Sequence, residues 1–87
     1  MEKKYNVDLA DSLFKDFETI PSKSLAQILG KIELLENFPE MGSVCLSPKW
    51  EGYRQLVIEQ YTVLYKVEKV KKLVVIYFAK HGRMNFR

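Results

Sequence analysis

Residues 53–80 read YRQLVIEQYTVLYKVEKVKKLVVIYFAK, three runs rich in β-branched and aromatic residues: Tyr53 to Ile58, Tyr61 to Val67 and Leu73 to Lys80. Glu59-Gln60 separates the first two runs, and the charged stretch Glu68 to Lys72 separates the second from the third. Such compositions read as strands, and connections this short imply adjacent antiparallel hairpins. Period-two alternation puts Tyr61, Val63, Tyr65 and Val67 on one face of the second strand, with Thr62, Leu64 and Lys66 on the other. In the third strand it sets Leu73, Val75, Tyr77 and Ala79 against Val74, Ile76, Phe78 and Lys80.

Upstream of these strands, Met41 to Gly52 carries Gly42, Ser43, Ser47 and Pro48 with little periodicity. It reads as a loop with room for a short edge strand. Before the loop, Leu25, Ile28, Leu29, Ile32, Leu35 and Phe38 recur at helical spacing, with Pro21 suited to the first turn and Pro39 as terminator. Gly30 inside this helix weakens it by roughly 1 kcal/mol relative to alanine, which suggests a close packing contact. An earlier helix places Leu9, Leu13, Phe14 and Phe17 on one face, starts near Asp8 or Asp11, and ends at Ile20-Pro21. KKYNV at 3–7 puts Tyr5 and Val7 on one side of a short strand. The expected architecture is α+β in the order β-α-α-β-β-β. An N-terminal strand and a helical hairpin pack on an antiparallel three-stranded sheet in one domain, residues 1–87.

Charge divides the chain unevenly. The first forty residues hold five Lys/Arg against eight Asp/Glu, and the remaining forty-seven hold nine against three. The basic second half also carries Tyr53, Tyr61, Tyr65, Tyr77, His81 and Phe86, so a positive, aromatic-bearing surface there suits a polyanionic partner. Cys45 and His81 are the only residues of their types. They give no intramolecular disulfide and no structural zinc site, and no metal or other cofactor is expected. No Gly-rich phosphate loop or nucleophile elbow occurs, so nucleotide-hydrolase and serine-hydrolase readings have no support. The N-terminal MEKKYNVDLA lacks an apolar h-region, and Leu73 to Ala79 is too short an apolar run to span a bilayer, so a cytoplasmic protein is expected, with no membrane role.

YNVDLA, IPSKSLAQILGKIELLENFPEMG, GYRQLVIEQYTVLYKV and LVVIYFAKHGRMNF, in that order and spacing, resemble the RelE/ParE superfamily of type II toxin–antitoxin toxins. The resemblance covers nearly the whole chain. It implies a small basic, growth-inhibiting toxin of an addiction or plasmid-stabilisation module, neutralised by a cognate antitoxin. RelE-like members cut mRNA on the ribosome with a cationic cluster, whereas ParE-like members poison DNA gyrase. Arg83 matches the arginine after the last strand in RelE-like nucleases, and Arg54 can be matched to a basic position in the central strand. Thr62 stands where a further arginine is expected and Ser47 near another, and KHGRMN resembles the HGR-type ending common among ParE-like and unclassified members of the superfamily. The resemblance therefore favours gyrase as target, with the ribosome-dependent mRNA endonuclease as alternative and a degenerate antitoxin-binding module as a third reading.

An RNA-cleaving site needs a base near the 2′-hydroxyl, a cation at the scissile phosphate and an acid for the leaving oxygen. In that case Arg83 supplies the cation, His81 or Tyr77 relays the proton, and Arg54 or Lys66 positions the substrate. For target or nucleic-acid binding the candidates are Lys66, Lys80, Tyr65, Tyr77 and Arg87, the tyrosines by stacking on bases. Each has a plainer reading. Arg83 and Lys80 are also ordinary solvated charges near a strand end, His81 an exposed turn residue, and the tyrosines sheet packing. Lys69, Lys71 and Lys72 form a basic hairpin tip that either touches phosphate or keeps the sheet from aggregating.

Overall fold

A computed structural model describes residues 4–82. The strands are β1 (Asn6–Leu9), β2 (Ser43–Val44), β3 (Tyr53–Ile58), β4 (Tyr61–Glu68) and β5 (Leu73–His81), with helices α1 (Asp11–Glu18) and α2 (Ser22–Leu34) between β1 and β2. The sheet order is β1-β5-β4-β3-β2. The three predicted strands form its antiparallel centre, Ile58 opposite Tyr61 and Glu68 opposite Leu73. β1 adds in parallel to β5, from Asn6 opposite Leu73 to Leu9 opposite Ile76. The predicted loop supplies β2 as an edge strand and then a 3₁₀ turn at Pro48–Trp50.

The helices cover the Tyr61/Val63/Tyr65 face. Leu13 of α1 and Ile28 and Ile32 of α2 bury against Val63, Tyr65, Val74, Ile76 and Ala79, with Leu35 beyond the helix end completing the layer. Water-free packing of these side chains is the main stabilising term of a domain this small. Pro21 lies just before α2, and α2 ends at Leu34, ahead of Pro39. Leu29 and Phe38, counted in the helical stripe, are 41% and 60% exposed. A side chain at Gly30 would meet nothing within 4 Å, so the glycine is not there for close packing.

The β5 alternation also departs from expectation. Leu64 faces Phe78 while Tyr65 faces Ile76, so Tyr77 is an extra, bulged residue. One inserted residue shifts everything after it by half a pleat. Val74, Ile76 and Ala79 consequently lie in the helix-side core, whereas Phe78 joins Leu64 on the opposite face, away from Val74 and Ile76. Lys80, paired with Thr62, lies on that second face too.

Candidate functional site

The second face is assembled from three separated segments. Leu64 and Cys45 are buried at its centre, and Trp50, Tyr53 and Phe78 pack around them. The Cys45–Trp50 segment folds over the sheet because the Cys45 N–H donates to the Tyr53 carbonyl (3.0 Å) and Ser47 Oγ accepts from the Lys49 N–H, capping the 3₁₀ turn. Trp50 then meets Tyr53 edge to face at 5.7 Å and Phe78 at 6.4 Å, and Tyr53 meets Tyr77 at 5.5 Å. Three ammonium groups sit over these rings: Lys49 at 5.7 Å from Trp50, Lys66 at 5.4 Å from Tyr53, and Lys80 at 5.5 Å from Phe78. Such contacts hold each lysine near an aromatic surface.

Lys80 is further fixed from α1. Its ammonium donates to Asp16 Oδ1 at 2.7 Å, and the other carboxylate oxygen of Asp16 accepts from the Ala79 N–H at 3.0 Å. Asp16 is 8% exposed, so these charge-assisted bonds compensate the burial of its carboxylate. Burial pushes the Cys45 thiol above its ordinary pKa, so it stays protonated and apolar under the aromatic layer.

The sequence-predicted residues therefore divide. Lys66, Lys80 and Tyr77 share the second face, with Lys66 and Lys80 at opposite ends. Arg54 pairs across the ladder with Tyr65, which places it on the helix side. Its guanidinium donates to the Gly42 carbonyl (2.7 Å) and the Glu40 carbonyl (3.3 Å) and pairs with the Glu40 carboxylate at 3.3 Å. Tyr65 is 0% exposed and presents no ring to a base. Its hydroxyl donates to the Pro39 carbonyl and accepts from the Gly42 N–H, both at 2.9 Å. Burial pushes its phenol above the ordinary pKa, with the Gly42 hydrogen bond and Arg54 opposing.

His81 sits opposite Tyr61, again on the helix side, with its ring 5.3 Å from the tyrosine and Nε2 3.2 Å from Gln60 Oε1. Arg83 and Arg87 lie outside the described residues. Among the described residues no group of three or more His, Cys, Asp or Glu side chains is placed to hold a metal, and no helix is long and apolar enough to cross a membrane. Sequence reasoning passed over Trp50, Phe78 and Asp16. The available signal was the chain's single tryptophan flanked by Lys49 and standing just before a strand. The bulge that turns Phe78 outward left no mark in composition.

The described residues thus form an α+β domain, a five-stranded sheet with a helical hairpin on one face and an aromatic, lysine-bearing surface on the other. A family model described as the ParE toxin of the type II toxin–antitoxin system parDE matches residues 7–86. The chain belongs to this ParE toxin family. No curated protein matches it significantly. Among solved structures, a RelBE toxin–antitoxin complex from Mycobacterium tuberculosis aligns with a TM-score of 0.82 at 22% identity, covering 90% of this chain and 98% of that one. The archaeal RelE–RelB complex from Pyrococcus horikoshii aligns at 0.75 and 22% identity over 93% and 99%. A chromosomal ParDE system from P. aeruginosa aligns at 0.72 and 17% identity over 92% and 98%. Identities this low carry the fold and nothing finer.

Proposed function

We propose that this chain is a growth-arresting toxin neutralised by a cognate antitoxin, and that it acts by binding DNA gyrase in the ParE manner rather than by cutting mRNA. The separation of the expected nuclease residues that fall among the described ones, Arg54, His81, Lys66 and Tyr77, carries this reading. Arg54 is committed to the loop at Glu40 and Gly42, and His81 is on the helix side, while Lys66, Lys80 and Tyr77 are on the other face. A phosphodiester cleavage site needs its cation, base and positioning groups within a few ångströms of one phosphate. The second face instead offers aromatic rings and fixed ammonium groups, the residue types that anchor macromolecular interfaces. Thr62, where the nuclease pattern has an arginine, is 1% exposed and donates its hydroxyl to the Gly82 carbonyl.

The antitoxin is expected to carry acidic residues that meet Lys66 and Lys80. The test is the purified full chain in two assays: supercoiling of relaxed plasmid by gyrase, and integrity of a translated message on ribosomes. Blocked supercoiling with intact message is the expected result. Cleaved message with normal supercoiling overturns the gyrase reading and assigns the chain to the nucleases, and inactivity in both, with antitoxin binding retained, marks a degenerate module.

A further inference from the structure

The β4–β5 hairpin projects a basic finger that the second face does not use. Its apex is Lys69-Val70-Lys71-Lys72, closed by a hydrogen bond from the Lys72 N–H to the Lys69 carbonyl at 3.2 Å. Val70 is 100% exposed, so the tip of the finger is open to solvent. Lys69 is steadied by Glu40 at 3.5 Å across an open contact, and Glu68 adjoins it in sequence. Among the described residues no carboxylate lies within ion-pair distance of Lys71 or Lys72. Lys72 also holds φ at 51°, a left-handed backbone that glycine or asparagine adopts more easily. Glu59 does the same at 55° in the preceding hairpin, so the strain alone assigns nothing.

The geometry points to this finger as a grip on the phosphate backbone of a double-stranded nucleic acid, separate from the surface assigned to the protein target. Three lysines within four residues repel one another and gain most from a partner with closely spaced negative charge. The apex residues Lys69 to Lys72 include no aromatic side chain to stack on an unpaired base, which favours duplex over single strand. The finger has few groups to read base edges, so the contact is independent of sequence. Duplex DNA and duplex RNA offer the same phosphate chemistry.

The test is fluorescence anisotropy of the purified full chain with labelled duplex DNA, duplex RNA and single-stranded DNA across a salt series. Three phosphate contacts predict a log–log salt slope of about −2.7, or about 40-fold weaker binding between 50 and 200 mM salt. Combined Lys69→Ala, Lys71→Ala and Lys72→Ala substitution is expected to abolish most of that slope. Lys72→Gly is expected to raise the melting temperature while flattening the slope by about 0.9, a pairing that a purely structural lysine would not give. A steeper slope on DNA than on RNA names DNA as the ligand, and the reverse names RNA. Unchanged duplex binding by the triple variant, with its circular dichroism intact, overturns the inference, as does tighter binding of the single strand. Gyrase inhibition is not a readout here, so failure of the finger leaves the proposed target untouched.

Discussion

Replacing Tyr65 with phenylalanine removes one atom and separates the pinning role of this residue from a binding role. The ring is fully buried and Phe fills the same space, so packing is retained. What is lost is the hydroxyl shared between the Gly42 N–H and the Pro39 carbonyl, each at 2.9 Å. Gly42 is buried, and among the described residues its N–H has no other acceptor, so it is left unsatisfied at a cost of about 1–3 kcal/mol. The Pro39 carbonyl is only half-buried and recovers part of its bond from water, adding about 1 kcal/mol. The expected loss is therefore about 3 kcal/mol, a large share of the roughly 5–15 kcal/mol that holds a domain together. For a chain of this length that lowers the melting temperature by about 15 °C. Chemical and thermal denaturation followed by circular dichroism measure it. A fall of less than about 1 kcal/mol refutes the hydroxyl as the pin of the 39–42 loop. Full target inhibition by the folded variant is also expected, because Tyr65 reaches no surface.

Gly30→Ala should stabilise the protein by about 1 kcal/mol in the same denaturation assay, since α2 gains a better helix former and the new methyl meets open space. Asp16→Ala should cost about 3 kcal/mol, because it strands the Ala79 N–H and frees Lys80. Recovery of most of that loss by Asp16→Asn would locate the effect in the backbone bond and not in the ion pair. Alkaline pH should destabilise the fold. Burial raises the folded pKa values of Cys45 and Tyr65 above 9.0 and 10.0, so their contribution is complete below the unfolded values and is lost as pH climbs toward the folded ones. Urea midpoints at pH 8 and pH 10.5 test this, and Tyr65→Phe should show the smaller drop.

Most of the fold was legible because it rests on local pattern. The two hairpins of β3, β4 and β5 follow from short connections between β-branched runs, and the Tyr61/Val63/Tyr65 face follows from period two. Three features were not legible for a shared reason: each depends on contacts distant in sequence. The parallel docking of β1 on β5 joins residues 6–9 to 73–76. The exposure of Leu29 and Phe38 depends on where α2 meets the sheet, which helical periodicity does not specify. The role of Arg54 depends on Glu40 and Gly42 coming under its guanidinium, whereas its residue type and family position suggested substrate binding. Tyr65 was misjudged similarly, since an aromatic in a basic strand looks the same in sequence whether it stacks or pins a loop.

The bulge at Tyr77 connects these pieces. With unbroken alternation, Phe78 and Lys80 would follow Val74 and Ile76 under the helices, and an ammonium group would enter the core, a burial costing several kcal/mol. The inserted residue turns both side chains to the second face, where Phe78 completes the aromatic cluster around Leu64. It does so just where β1 stops. The Ala10 N–H still donates to the Ile76 carbonyl at 2.9 Å, and beyond that point, among the described residues, this edge of β5 has no neighbouring strand. α1 takes over with side chains: Ser12 Oγ donates to the Tyr77 carbonyl at 2.7 Å, and Asp16 accepts from the Ala79 N–H. The first turns of α1 thus act as a substitute strand for a bulged edge, satisfying backbone groups that would otherwise lie open to pairing with another chain. Because the same Asp16 carboxylate holds the Lys80 ammonium, the helix that closes this edge also fixes one of the cations that lie over the aromatic rings of the second face.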